Sequence, residues 1–226
     1  MDRDAIRKLP FSRRSYESPG YILREGEPAR KHCSFVISGL AFRQKLTAEG
    51  ARQIVSIHIA GDFLDLQHLF LNYADHSVQA LTRLECAEIA RDALQDLVLQ
   101  HPVVGRALWT DALVDASIFR EWIANIGRRN ARARIAHLLC EFAVRLQAAK
   151  LGTPEGFMSP MSQEWISDAV SLTSVHVNRV LMALQAEGLI HRSRRWIEVR
   201  DWDGLVEAGD FNPAYLHLDQ VHPAAV

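Results

Sequence analysis

Residues 162–184, SQEWISDAVSLTSVHVNRVLMAL, limit the folds open to this chain more than any other stretch, because they are legible as two short helices joined by a tight turn. Ser162 is a natural N-cap whose hydroxyl can accept from an amide of the first turn, and Trp165, Ile166 and Ala169 then share one face. Ser171 and Leu172 bend the chain. Thr173 is placed to cap a second helix in which Val177, Val180, Leu181 and Leu184 recur at helical spacing. With those four turned inward, the outer face begins at Ser174, Val175 and His176 and continues through Asn178 and Arg179. A helix so presented fits a DNA major groove and sets polar side chains against base edges. Helical hairpins with a polar outer face also occur in α domains of other function, so the neighbouring residues decide.

Two neighbours point the same way. Gly188, in QAEGLI, suits a left-handed helix stop, and HRSRRWIEV over 191–199 predicts a short β-hairpin with Arg192, Arg194 and Arg195 at its tip. A recognition helix followed by a basic wing is a winged helix-turn-helix. The net charge of -1 conceals the second neighbour. Residues 1–127 carry 15 Lys and Arg against 16 Asp and Glu, residues 128–200 carry 11 against 6, and the remainder carries 0 against 5. The local excess of +5 is the footprint that contacts to phosphate require.

With 226 residues, 48% of them hydrophobic, the chain can bury one large core or two modest ones. No apolar run approaches the roughly 18 residues of a membrane span, and MDRDAIRKLPFSRR lacks a secretory apolar segment, so no membrane partner and a cytoplasmic location are expected. Cys33, Cys86 and Cys140 are odd in number and far apart, against a disulfide framework or a cysteine zinc site. No Gly-rich phosphate loop, metal-ligand spacing or hydrolytic triad is present, so neither an enzyme nor a metal or other cofactor is expected.

From Ser15 to about Arg91 the character is β. CSFVIS, LAFRQKL, RQIVSIHIA and RLECAEIA are punctuated by Gly20, Gly26, Gly39, Gly50 and Gly61, a rhythm that suggests a small antiparallel barrel or jelly roll. TAEGARQ reads as a hairpin turn with Gly50 supplying a positive φ. From Pro102 the chain turns helical for about 25 residues, with Leu108, Ala112, Ala116, Phe119, Ile123 and Ile126 at spacings of three or four and a second apolar face of Val104, Trp109, Leu113, Ile118 and Trp122. Gly127 and the run Arg128, Arg129, Arg132, Arg134 mark a hinge that, with the wing, is expected to hold phosphates. A further helix over 135–146 follows, and the loop LGTPEGFMSPM leads to the helix-turn-helix. After Asp203 a mixed apolar and acidic composition predicts a loosely packed tail.

The block SLTSVHVNRVLMALQAEGLI, preceded by MSQEWISDA, resembles the DNA-binding domain of the Crp/Fnr family of bacterial transcription regulators. GYILREGEPARKHCSFVISGLAFRQ and RQIVSIHIAGDFLDL resemble the cyclic-nucleotide-binding-like β-roll of the same family. The resemblance implies an α+β architecture: a β-roll sensor over 1–100, a dimerisation helix over 101–127, a winged helix-turn-helix over 128–203 and a tail over 204–226. It implies a homodimer on an inverted repeat of double-stranded DNA, with a seam at Leu108, Ala112, Phe119, Trp122 and Ile126, and an RNA polymerase contact if promoters are activated. The family's recognition Arg falls on Arg179, whereas its Glu position holds Val175, so the half-site should differ. Base reading is expected from Arg179, Asn178, Val175, Ser174 and His176, and phosphate contact from Ser162, Gln163, Thr173, Arg192, Arg194 and Arg195. Where the family grips a cyclic phosphate with Arg-Ser or Arg-Thr, this chain has His76-Ser77, and Asp65 is the nearest carboxylate for a ribose. A neutral imidazole cannot make a guanidinium's forked contact, so these three residues describe a degenerate pocket and an effector of unknown kind. The clustered cysteines of the family's iron-sulfur sensors are absent. His58, His68, His76 and Cys86 are of types that ligate haem, with structural roles the commoner explanation. The competing expectation is a sensory β-roll, for haem or a small molecule, without specific DNA binding.

Overall fold

The computed structural model describes residues 2–153 and 155–221, so Pro154 and the last five residues of the expected tail lie outside it. The chain divides into two compact units, one comprising the chain up to Ala51 with Val55–Asp115, the other Arg52–Ile54 with everything from Ala116 onwards.

In the first unit a short helix α1 (Asp2–Arg7) precedes β1 (Phe11–Tyr16), β2 (Tyr21–Leu23), β3 (His32–Ser38), β4 (Ala41–Leu46), β5 (Arg52–His58), β6 (Ser77–Ala80) and β7 (Leu84–Ala90). They form two sheets, β1-β7-β3 and β2-β6-β4-β5, the antiparallel roll that the glycine rhythm predicts. Val36, Leu84 and Cys86 from one sheet and Leu23, Ala41 and Val78 from the other meet in a core from which water is excluded. Helix α2 (Arg91–Gln100) and the start of α3 (Pro102–Arg128) close a second cluster of Cys33, Leu66, Leu69, Leu94, Leu97 and Val104.

The second unit contains α4 (Ala131–Ala148), β8 (Gly156–Met158), α5 (Gln163–Val170), α6 (Ser174–Ala186), β9 (Ile190–Ser193), β10 (Trp196–Val199), α7 (Trp202–Gly209) and α8 (Leu218–Val221). The stretch expected to be a plain loop contributes β8, which pairs with β10 to make a three-stranded sheet in the order β8-β10-β9. Its Phe157 is fully buried beside Phe142.

Three expectations need correction. Helix α3 runs through Gly127 to Arg128, and the break comes at Asn130, whose side chain accepts from the Ala133 amide to cap α4. Three of the four arginines of the basic run are engaged within the protein, while Arg128 is exposed. Arg129 pairs with Glu121 and Asp210, Arg132 with Glu187, and Arg134 donates to the carbonyls of Arg129 and Val170, satisfying the ends of two helices.

The tail is not loose. Leu205, Phe211 and Leu216 are buried, and α7 packs so closely on α4 that a β-carbon on Gly209 would lie 2.7 Å from the His137 nitrogen. Tyr215 stacks on His137 and donates at 2.8 Å to Glu141, a fully buried carboxylate that also accepts from Trp122 Nε1 at 2.9 Å.

That last bond bears on one residue of the expected seam. Trp122 is buried within its own chain and Leu108 packs against the second cluster, while Phe119 and Ile126 are half-buried and Ala112 is exposed. Among the exposed apolar residues of α3, Trp109, Leu113 and Ile123 recur with Ala116 and Arg120 at alternating spacings of four and three. The helix is apolar nearly all round, so its periodicity gave two stripes without saying which faces the core.

Candidate nucleic-acid interface

Both helices of the motif begin as their capping residues dictate. Ser162 Oγ accepts from the Trp165 amide at 3.2 Å and Thr173 Oγ1 from the His176 amide at 3.2 Å, and Ser171 takes the left-handed conformation that turns α5 into α6. Val177, Val180, Leu181 and Leu184 are buried, as the spacing requires. Gly188, at φ +78°, ends the helix in the conformation that a side chain resists.

Fixing one face of α6 fixes the other. Val175 is 72% exposed and Arg179 is exposed one turn later, and among the described residues nothing pairs with the Arg179 guanidinium. Met182, 63% exposed, extends this line by a further turn. It went unnoticed in the sequence although it stands seven residues after Val175, on the same face. Ser174, His176 and Asn178 are half-buried at the margin. Ser174 Oγ lies 3.4 Å from Ser167 Oγ, and Asn178 Oδ1 accepts from Gln163 Nε2 at 2.8 Å. The Gln163 amide, expected at a phosphate, thus commits one of its two N–H groups to the partner helix.

The wing turns through Arg194 and Arg195, with Ser193 paired to Trp196. Arg194 sits at φ +53°, which costs a residue with a side chain about 1 kcal/mol, and the two-residue turn demands it. Its neighbour is held by the Ser159 amide donating to the Arg195 carbonyl at 2.7 Å. Both guanidinium groups are exposed, whereas Arg192 is half-buried with its amide donating to Gln185. One segment thus presents Val175, Arg179 and Met182 from a helix, and Arg194 and Arg195 from a hairpin.

The predicted sensor residues do not converge. Asp65 is fully buried, accepting from the Ser34 amide at 2.6 Å with Arg30 at 3.7 Å, and burial pushes its carboxyl up to about 6. Arg30 is in turn held by Glu88 at 2.7 Å. Such a carboxylate is part of the barrel wall and is not offered to a ribose. His76 lies apart, with Nδ1 2.8 Å from Asp75 and Nε2 3.5 Å from the Gln67 amide, while Ser77 Oγ accepts from the Glu25 amide. Burial, and then the charge of Arg43, lowers His76 to about 4, so the ring is neutral near pH 7. Arg43 itself is buried against Asp115 of α3 and the Leu64 carbonyl.

Residues 133–208 match the model of the Crp-like helix-turn-helix domain, and residues 13–101 that of the cyclic nucleotide-binding domain. The transcriptional activator protein FnrL of Cereibacter sphaeroides is 30% identical over 202 residues, which cover 87% of this chain and 80% of that protein. The nitrogen fixation regulation protein FixK of Bradyrhizobium diazoefficiens is 28% identical over 84% of this chain and 79% of its own. Among solved structures, FixK2 from Bradyrhizobium japonicum superposes with a TM-score of 0.81 at 26% identity, covering 88% of this chain and 98% of that one.

Proposed function

Because the chain belongs to the Crp/Fnr family of transcription regulators, we propose that it acts as a homodimer on double-stranded DNA, each α6 entering a major groove with Arg179 at a guanine edge. The observation that carries this reading is the exposed Arg179 guanidinium, unpaired among the described residues, on a helix whose opposite face is buried. The operator is an inverted repeat with half-site centres about one helical turn apart. Arg194 and Arg195 hold phosphates, with Ser162 and Thr173 near the backbone. The setting is cytoplasmic, consistent with the lack of any described helix long and apolar enough to cross a membrane, and RNA polymerase is the further partner where transcription is activated.

Gel shifts over a salt series separate the two kinds of contact. Arg179→Ala is expected to lose about 1–3 kcal/mol on the selected operator and to relax the guanine preference. Arg194→Ala should weaken all duplexes alike and lower the salt slope by about one. Equal losses for both variants on operator and scrambled DNA would reject the division.

The second copy docks on Trp109, Leu113 and Ile123, large apolar side chains left uncovered on α3. Ile123→Glu is expected to give a monomer in sedimentation equilibrium and to lose operator affinity with it. A dimer that persists unchanged would reject this seam. A cyclic nucleotide is not the effector in this reading, since neutral His76 stands where a guanidinium would grip its phosphate.

A further inference from the structure

We propose that Gln163 sets the base preference of the recognition helix by locking the Asn178 amide with its donor end toward the groove, so that Asn178 and Val175 together select a thymine in each half-site. This rests on the DNA-reading role of α6 and goes beyond it by assigning a positioning residue on the other helix.

Gln163 is the first residue of α5, and its Nε2 donates to Asn178 Oδ1 at 2.8 Å. One of the two lone pairs of Asn178 Oδ1 is thereby taken, and the oxygen is held toward α5. Its Nδ2 lies 3.9 Å from Met182 Sδ, a weak acceptor that engages one N–H and leaves the other for a ligand. Turning Asn178 over alone would set two NH2 groups face to face, so the orientation of one amide dictates that of the other.

An asparagine normally recognises adenine with both ends of its amide, giving to N7 and taking from N6. With Oδ1 held toward Gln163 and one of its two lone pairs taken, that pair is weakened, and cytosine N4, a donor, meets the donor end of the amide. Thymine O4 and the guanine acceptors remain. Val175, three residues earlier on the same side and 72% exposed, supplies an apolar surface matched to the thymine methyl, which guanine lacks. The absence of a carboxylate at position 175 and the outward donor end of Asn178 thus act in the same direction.

The test uses full-length protein in two formats, selection from a random-sequence duplex pool and competition between single-base variants of the selected repeat. Wild type is expected to enrich a thymine in each half-site. Gln163→Glu can only accept, so it should turn the Asn178 Nδ2 inward, present Oδ1 to the groove, and move the preference to adenine or cytosine by roughly fivefold. Gln163→Lys can only donate and should keep thymine. Ratios between duplexes cancel the change in overall affinity that either charge brings. A Gln163→Glu protein with the wild-type preference would overturn the proposal, as would adenine or cytosine at that place in the wild-type repeat. If wild type enriches no repeat at all, the DNA-reading role fails, and this assignment falls with it for that separate reason.

Discussion

Replacing Glu141 by Ala is expected to remove about 3–5 kcal/mol from the stability of the second unit, the largest effect foreseen for a single substitution in this chain. The side chain is fully buried on α4 and accepts from Trp122 Nε1 at 2.9 Å and Tyr215 OH at 2.8 Å, with Arg145 Nη1 at 3.4 Å. Its removal leaves the buried Trp122 indole N–H without that acceptor, takes from the Tyr215 hydroxyl one of its two partners, the other being His137 Nε2, and removes a carboxylate from beside Arg145. Glu141→Gln keeps an acceptor for one of them and should cost markedly less. Urea unfolding followed by tryptophan fluorescence measures both, and a Glu141→Ala midpoint within error of wild type would show that these bonds contribute nothing net.

Acid should loosen the first unit, and His76 should account for about 3 kcal/mol of the loss. Burial and Arg43 hold its folded value near 4, against 6.5 for the free side chain. Between those values the unfolded chain binds a proton that the folded chain refuses. The stabilisation is therefore complete above about 6.5 and lost as pH falls toward about 4. His58 and His68, both lowered chiefly by burial, add in the same sense. Asp65 has the opposite sign. Raised to about 6, it favours the folded state below its ordinary value and loses that advantage as pH rises through 6. The contribution of His76 is thus best isolated as a difference, from urea midpoints of wild type and His76→Gln at pH 7.5 and pH 5. Midpoints that shift in parallel would exclude it as the titrating group.

The helix-turn-helix was legible in the sequence because each signal in it is local: a capping hydroxyl, an apolar repeat and a stopping glycine act within a few residues of themselves. The roll was legible for a similar reason, since glycine-bounded apolar runs reflect turns between neighbouring strands. What escaped depends on contacts distant along the chain. No pattern near Trp122 indicates that Glu141 will bond its indole, so the periodicity of α3 could not tell that this side chain is buried within its own chain. Arg129, Arg132 and Arg134 had the composition of a phosphate patch, and only the fold turns them toward carboxylates and carbonyls. Asp65 was selected for being an acid near a predicted pocket, which says nothing about whether its side chain turns to solvent or, as here, to the Ser34 amide.

The packing of Phe211, Tyr215 and Leu216 onto α4 bears on how this regulator can be silenced. A stop codon just after the wing would spare every residue assigned here to the duplex and still expose the Glu141 carboxylate and the apolar face around His137. Mutants recovered in a genetic screen for lost regulation should therefore include truncations just after the wing, and their defect would be proteolysis of an opened domain instead of a missing base contact.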